Sequence, residues 1–173
     1  MSVTKDTSKS MNRGLLTTII LFGIVIIWIG ARLIFPDIPT IFAGTKPDNL
    51  GFNNGQLAPC PMTPNCVNSQ SKDAEHSIKS LSYQGDSVNA IAKLKTIINQ
   101  EKGSQIISET DNYLYAQFTS PWMGFVDDVE FYVNPEKGTI EVRSASRLGE
   151  SDLGVNRQRI EQIREAFKTT VGA

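Results

Sequence analysis

The sequence has no excess of basic residues and only one histidine. Its 17 Lys and Arg are balanced by 18 Asp and Glu, which gives a formal net charge of −1. Because a clustered basic surface normally supplies most of the affinity for nucleic acid, this balance argues against a nucleic-acid partner. With His76 as the only histidine base and no G-x-S-x-G motif, Ser144, Ser146 and Ser151 give little support to a serine hydrolase.

Cysteine is equally scarce, since Cys60 and Cys66 are the only two, and both flank prolines in a stiff loop. In an oxidising compartment we expect them to form a disulfide, and closing so short a loop contributes about 2.4 kcal/mol in the chain-entropy model, less any strain. Free structural thiols, or a metal or redox site, are the alternatives. The C-x5-C spacing matches neither thioredoxin-like redox motifs nor paired zinc knuckles, and a metal would need His76 and a carboxylate. We expect no metal and no cofactor.

Charge is absent from residues 14–31, the longest apolar run of the sequence. As a helix this run would extend about 27 Å, close to the ~30 Å hydrocarbon core of a bilayer. If Arg32 snorkels, the stretch continues to Phe35. We predict a retained transmembrane anchor over residues 14–35. The alternatives are a buried soluble helix and a cleaved signal peptide, which fits less well because a large residue, Ile29, occupies the −3 position of the cleavage site.

The charges before the anchor predict its orientation. Lys5, Lys9 and Arg13 precede the apolar run, and basic residues favour the cytoplasmic side of a membrane. We therefore predict that residues 1–13 are cytoplasmic and that the rest of the soluble chain lies in a periplasm, a lumen or the extracellular space. This orientation would also place both cysteines in an oxidising compartment.

Proline and glycine separate the anchor from the domain that follows. Residues 36–56 contain three prolines, three glycines and two adjacent asparagines, a density that breaks both helix and strand. We predict a flexible linker over residues 36–56 and one soluble α+β domain over residues 57–173.

Hydrophobic periodicity within this domain predicts two helices and an antiparallel sheet. Residues 88–100 and 156–168 carry apolar side chains at helical spacing, and Asp86 with Ser87 can cap the first helix. Four strand-like runs follow the first helix, at residues 105–109, 113–119, 129–133 and 139–147, and the last three of them alternate with period two. A further strand near residues 78–83 would make five. We expect an antiparallel sheet of about four to five strands with two helices on one face, the other face staying partly open.

Three stretches of the sequence are similar to those of a known family. They are Pro-Cys-Pro-Met-Thr-Pro-Asn-Cys-Val from residue 59, Asp-Val-Glu-Phe from residue 128, and the long run from Arg143 to Ile160. Together they resemble the domain-of-unknown-function family 1499 over residues 57–167. That family has no established activity, so the resemblance supplies no catalytic residue. Its members often follow an N-terminal signal or membrane segment in bacterial or plastid envelopes, which implies the same setting for this chain.

Polar residues are densest between residues 143 and 159. On a strand, Arg143 and Arg147 point to the same face as Glu130 and Glu141, opposite the helices. Because arginines offer bidentate donors, they could bind an anionic ligand on this face. The alternative is that they pair with the acidic residues across the strands, which needs no ligand.

Other side chains extend the candidate ligand-binding set. Asp128 and Tyr132 lie on the arginine face by the same alternation, and tyrosines beside arginines are typical of binding surfaces unless the linker or the cysteine loop covers them. Asn156 and Arg157 stand at the predicted start of the last helix, where backbone N–H groups favour negative charge. Asp128 with Glu130 would be the acid–base pair of a hydrolase.

These patterns favour a membrane-tethered extracytoplasmic binding or scaffolding module over an enzyme. Its partner, besides the membrane, would be an envelope protein or a small anionic ligand. The alternative is a hydrolytic or metal-assisted enzyme of unknown substrate that uses Asp128, Glu130, His76 or the cysteines.

Overall fold

The computed structural model describes residues 12–35 and 38–169 of a chain that divides into two compact units. In the first unit, Met1–Pro36, the described residues form one helix, α1 (Arg13–Ile34), and the N–H of Gly14 donates to the side chain of its N-cap, Asn12. By length and composition α1 could cross a membrane, and a signal sequence near the N-terminus would have the same properties. The basic residues predicted to precede the anchor, apart from Arg13, lie outside the described residues.

The second unit, Asp37–Ala173, contains a six-stranded sheet, a small hairpin and two helices among its described residues. In chain order its elements are β1 (Phe52–Asn53), β2 (Gln56–Leu57), β3 (Cys66–Asn68), β4 (Leu81–Ser82), α2 (Ser87–Ile98), β5 (Ser104–Thr110), β6 (Tyr113–Thr119), β7 (Val126–Asn134), β8 (Thr139–Ser146) and α3 (Val155–Thr169). The sheet order is β3-β8-β7-β6-β5, with β4 also paired to β8, and these strand pairs are antiparallel.

The structure confirms the α+β class, the antiparallel sheet and the two helices after α1, but the predicted number of strands is wrong. The four strands predicted between residues 105 and 147 are β5 to β8. The further strand predicted near residues 78–83 is present as β4, and the sixth strand, β3, was not predicted; both pair with β8. A strand of three residues is too short to show a period-two pattern, so alternation in the sequence does not reveal β3.

Helices α2 and α3 pack with the inner face of the sheet into the main hydrophobic core. Asp86 caps α2 as predicted, and its carboxylate accepts the N–H of Asn89 at 2.7 Å. Fully buried members of this core are Leu94, Ile98, Leu114, Val129, Phe131, Val133, Ile140, Val142, Ile160 and Ile163. Because successive strand residues point to opposite faces, burying these side chains also fixes which residues face outward.

The outer face of the sheet is covered by an irregular segment, residues 38–58, which we name the strap. The predicted linker, residues 36–56, makes up most of this segment, although Pro36 and Asp37 lie outside the described residues. The segment covers the outer face, which we expected to stay partly open. Prolines and glycines exclude a long helix or strand in this segment. They do not prevent an irregular chain from packing through the apolar side chains that it carries.

Aromatic and apolar side chains attach the strap to the sheet. The ring of Phe52 stacks on that of Tyr132, with centroids 4.2 Å apart, and it also approaches Tyr113 at 5.7 Å. Leu57 is buried in the same small cluster, and its N–H donates to the side chain of Gln70 at 2.8 Å. The outer face therefore has a hydrophobic cluster of its own, separate from the main core.

Gly44 allows the strap to approach the sheet closely, which yields a stability prediction. With φ of +67°, its ideal Cβ would lie 2.8 Å from Cβ of Arg147, whereas Gly138, with φ of +62°, has no atom within 4 Å of its ideal Cβ. We expect Gly138→Ala to cost about 1–2 kcal/mol of unfolding free energy for the left-handed backbone. Gly44→Ala should cost roughly 1–3 kcal/mol more, because of the overlap. Urea unfolding of the full chain in detergent measures both, and equal losses would contradict the packed strap.

Candidate functional site

A layer of polar side chains lies on the outer face of the sheet beneath the strap. Antiparallel pairing aligns Tyr115 of β6, Glu130 of β7 and Arg143 of β8 in one row. Neighbours two residues away share this face. Six residues of this face are almost entirely buried, with less than a tenth of the surface of the residue or of its side chain exposed. We name them the polar layer: Tyr113, Tyr115, Asp128, Glu130, Arg143 and Arg147.

Glu130 lies at the centre of the polar layer and has no exposed surface. Its Oε1 accepts the hydroxyl of Tyr113 at 2.7 Å and the N–H of Gly51, in the strap, at 2.6 Å. Its Oε2 accepts from Nη1 of Arg143 at 3.3 Å. Burial and the neighbouring carboxylate raise the pKa of Tyr113 well above its ordinary value. One buried carboxylate therefore connects two neighbouring strands and the strap. A charge removed from water needs such hydrogen-bond and ion-pair partners to be stable.

Asp128, 1% exposed, forms the second ion pair of the polar layer. Arg147 donates to it in bidentate geometry, from Nε to Oδ2 at 2.8 Å and from Nη2 to Oδ1 at 2.7 Å. The hydroxyl of Tyr115 adds a bond to Oδ1 at 2.6 Å, and burial together with this bond raises the pKa of Tyr115 to about 12. The bonds to Asp128 also raise the pKa of Arg147. Both charges are satisfied within the protein. This pair therefore supports the interpretation in which the arginine pairs with an acidic residue of the sheet and needs no ligand.

Arg143 is the incompletely bonded member of the polar layer. It is 5% exposed, and its hydrogen bond is the 3.3 Å contact with Glu130. Its Nε is the one buried side-chain nitrogen or oxygen in the described part of the chain that has no hydrogen-bond partner. A guanidinium carries five N–H donors, and an unsatisfied buried donor costs about 1–3 kcal/mol. Arg143 thus holds donor capacity on the outer face that the protein does not use.

Tyr132 stands at the edge of the polar layer, beside a groove of about 800 Å³. This volume lies in the range of small-molecule sites, although the groove is polar rather than apolar. Glu141 lies in its wall, and its carboxylate accepts the hydroxyl of Ser69 at 2.6 Å. Further lining residues come from the β1–β2 hairpin and from β7, among them Gln56 and Asn134.

Asn156 and Arg157 do not join the polar layer. Asn156 is buried, and its Nδ2 donates to the carbonyl of Asn65 at 2.9 Å. Arg157 donates from Nη1 to the carbonyl of Ser77 at 2.8 Å. The predicted site residues are thus divided between two regions. Those on β7 and β8 meet beneath the strap, whereas these two hold loops against the start of α3.

The residues considered for catalysis make structural contacts. The imidazole of His76 is buried, and its Nδ1 donates to the carbonyl of Cys66 at 3.1 Å, since a carbonyl only accepts. Ser144 is fully buried, and its hydroxyl donates to Asn156. Within the described ranges no hydrogen bond joins the His76 ring to a serine. The geometry therefore adds no support to a serine hydrolase.

One cluster among the described residues has the composition of a metal site: Asp73, Glu75 and His76. Their ligand atoms lie within 4.8 Å of one another, and Nε2 of His76 is 3.5 Å from Oδ2 of Asp73. The imidazole is buried, while both carboxylates are exposed. A divalent cation bound between Nε2 of His76 and Oδ2 of Asp73 would satisfy both atoms. A proton on Nε2 would do the same. The prediction of no metal can be tested at this place.

The predicted disulfide between Cys60 and Cys66 is confirmed, with Cα atoms 5.7 Å apart. It connects the chain just after the strap to β3, at one edge of the sheet. The side chain of Asn68 in β3 also donates to the carbonyl of Ala58 at 2.9 Å. The end of the strap is therefore attached to the sheet both covalently and by a hydrogen bond.

The strap residues that complete the site were not predicted. Gly51 and Phe52 lie in the segment predicted as a linker, yet one bonds to the central carboxylate and the other stacks on the edge tyrosine. A sequence signal for local structure was present, because Asn-Gly between two extended pairs is typical of a two-residue hairpin turn. Asn54 and Gly55 have the positive φ of such a turn, 50° and 75°.

Fold and site together define an α+β domain that buries a polar sheet face beneath a strap. The family described as "Protein of unknown function (DUF1499)" matches residues 56–167, almost the whole of the α+β region. The chain belongs to this family, as the three sequence stretches predicted. No curated protein matches the sequence. The match includes every strand of the main sheet and both cysteines, but most of the strap precedes it.

The pairing of Glu130 with Arg143 leads to a prediction about stability. Glu130→Ala should lower the unfolding free energy by roughly 3–5 kcal/mol, because it leaves a buried cation without its partner. The double variant Glu130→Met/Arg143→Met should lose less than the sum of the two single losses. Glu165→Ala is the control, since its ion pair with Lys168 is exposed and should contribute less than about 1 kcal/mol. Chemical unfolding measures these variants together with the single variants Glu130→Met and Arg143→Met, and strict additivity of the two Met substitutions would contradict this coupling.

Proposed function

We propose that this protein is a membrane-tethered extracytoplasmic binding module. α1 would be a retained anchor, with residues 1–13 in the cytoplasm and the α+β unit in a periplasm, a lumen or the extracellular space. The length and apolar composition of α1 support a single span. The disulfide supports an oxidising compartment. Arg13, before the span, supports the orientation.

The polar layer is the proposed binding surface. The unpartnered Nε of Arg143 is the observation that supports binding of a small anionic ligand there. A carboxylate or phosphate oxygen is the acceptor that best matches guanidinium donors. Arg147 differs, because Asp128 already occupies its donors in bidentate geometry. The proposal therefore centres on Arg143 rather than on both arginines equally.

A ligand can reach Arg143 only if the strap moves. Two contacts hold the strap above this point: the N–H of Gly51 on Glu130, and the ring of Phe52 on Tyr132. The polar groove of about 800 Å³ beside Tyr132 is an adjacent entrance. A small anion would enter there and lift the β1–β2 hairpin. A protein partner would instead take the place of the strap on the outer face.

Anion binding can be tested on the full chain in nanodiscs by thermal unfolding, with inorganic phosphate and succinate as probes. We expect at least one probe to raise the midpoint of the wild-type protein and Arg143→Lys to abolish the rise, because lysine lacks the planar donors. Arg164→Lys is the matched control. Arg164 is 6% exposed like Arg143, but it donates to the carbonyls of Lys79 and Ser80, and this variant should keep the rise.

Native mass spectrometry of protein purified from its own membranes identifies what is bound. An anion lost in Arg143→Lys and retained in Arg164→Lys supports the proposal. A copurifying protein with the same dependence on Arg143 identifies a protein partner instead. If neither probe shifts the midpoint and nothing copurifies, the binding proposal is contradicted.

A second candidate is a metal-assisted enzyme, which the cluster of Asp73, Glu75 and His76 favours. Imidazole and carboxylates suit zinc and similar cations, and the Nδ1–H donated to a carbonyl orients His76 as in metal-binding histidines. Elemental analysis of protein purified without chelator should then find about one metal per chain, lost in His76→Gln. Substoichiometric metal that is equal in both proteins would remove the support for this function.

A further inference from the structure

Large apolar side chains are exposed at one end of the sheet in the second unit. They belong to the start of the strap, the loop between β6 and β7, and the residue that follows Arg147. We name them the apolar tip: Ile38, Ile41, Trp122, Met123, Phe125 and Leu148. Ile41 is 86% exposed and Trp122 is 60% exposed. Isolated apolar residues are ordinary on protein surfaces, but a group of this composition marks an interaction surface.

Contacts between the three segments hold the apolar tip together. The hydroxyl of Thr40 donates to the carbonyl of Met123 at 2.8 Å, which joins the strap to the β6–β7 loop. An ideal Cβ on Gly44 would lie 2.9 Å from Cγ of Leu148, so the strap also contacts the segment after β8. The apolar tip is therefore one built surface rather than scattered side chains.

The position of the apolar tip in the sequence indicates what covers it. α1 ends at Ile34, and Ile38 follows four residues later. Four residues span at most about 14 Å, so the tip begins within that distance of the end of α1. In a membrane-spanning α1 that end lies at the boundary of the bilayer, where tryptophan is enriched and where apolar side chains enter the region between headgroups and acyl chains.

We propose that the apolar tip inserts into the interface of the bilayer that α1 crosses. This inference rests on the proposed membrane anchor, and it adds a second attachment of the protein to the same membrane. The start of the strap is then fixed in the lipid interface, and its end is attached to β3 through the disulfide. The segment that covers the polar layer is held at both ends.

The two tryptophans, Trp28 in α1 and Trp122 in the apolar tip, permit a direct test. The full chain is reconstituted into phosphatidylcholine–phosphatidylglycerol vesicles whose acyl chains carry bromine at shallow or deep positions. In Trp28→Phe, where Trp122 is the only tryptophan, we expect blue-shifted emission and loss of intensity with shallow bromines. The control is Trp28→Phe/Trp122→Phe/Val88→Trp. It carries its tryptophan at an exposed site on α2, and should emit as in water without quenching.

The outcomes separate the apolar tip from the anchor. Unquenched, water-like emission from Trp122, equal to that of the Val88→Trp control, would overturn the inference. Trp122→Phe leaves only Trp28, which should be quenched by bromine within the acyl chains if α1 spans the bilayer. Quenching at Trp28 without quenching at Trp122 would refute the insertion of the apolar tip and leave the membrane anchor in place. Absence of quenching at Trp28 would refute the anchor, and the membrane part of the proposed function with it.

Discussion

Glu130 lies on β7, inside the sheet, with no exposed surface, and a carboxylate in such a place is stable only when its oxygens have partners. The partners come from three separate parts of the chain: Tyr113 on β6, Arg143 on β8 and the backbone of Gly51 in the strap. The same buried charge therefore couples the register of three strands to the position of the strap. Displacing any one partner would remove one of the hydrogen bonds that this buried carboxylate accepts.

This coupling also defines how the proposed binding site would work. The Nε donor of Arg143 has no acceptor, whereas Arg147 and Asp128 satisfy each other. The unused donor of Arg143 lies beneath the strap, which has little regular structure and is attached at its end by a disulfide. If the apolar tip inserts into the bilayer as proposed, the membrane holds the beginning of that segment. A ligand would then compete with a cover that the protein keeps beside the membrane.

Periodicity predicted α2, α3 and the strands β6 to β8 because each of them buries apolar side chains at regular spacing. β5 buries no residue, and it was predicted as a strand-like run without such a pattern. Alternation also placed Arg143 and Glu130 on one outward face. It could not show that this face is covered, because the strap is held by individual contacts such as that of Gly51 with a residue 79 positions later. The buried place of Asn156 likewise depends on Asn65, 91 residues away. Short strands and long-range polar contacts leave no periodic trace in a sequence.

Hydrogen exchange across residues 38–58, measured on the full chain in nanodiscs, tests most directly whether the strap covers the polar layer. If the strap is packed on the sheet, the amide of Gly51, which donates to the buried carboxylate of Glu130 at 2.6 Å, should exchange about as slowly as the amides of β7. Exchange throughout the strap at the rate of an unstructured peptide would contradict this packing, and would restore the flexible linker that the prolines and glycines of this segment predict.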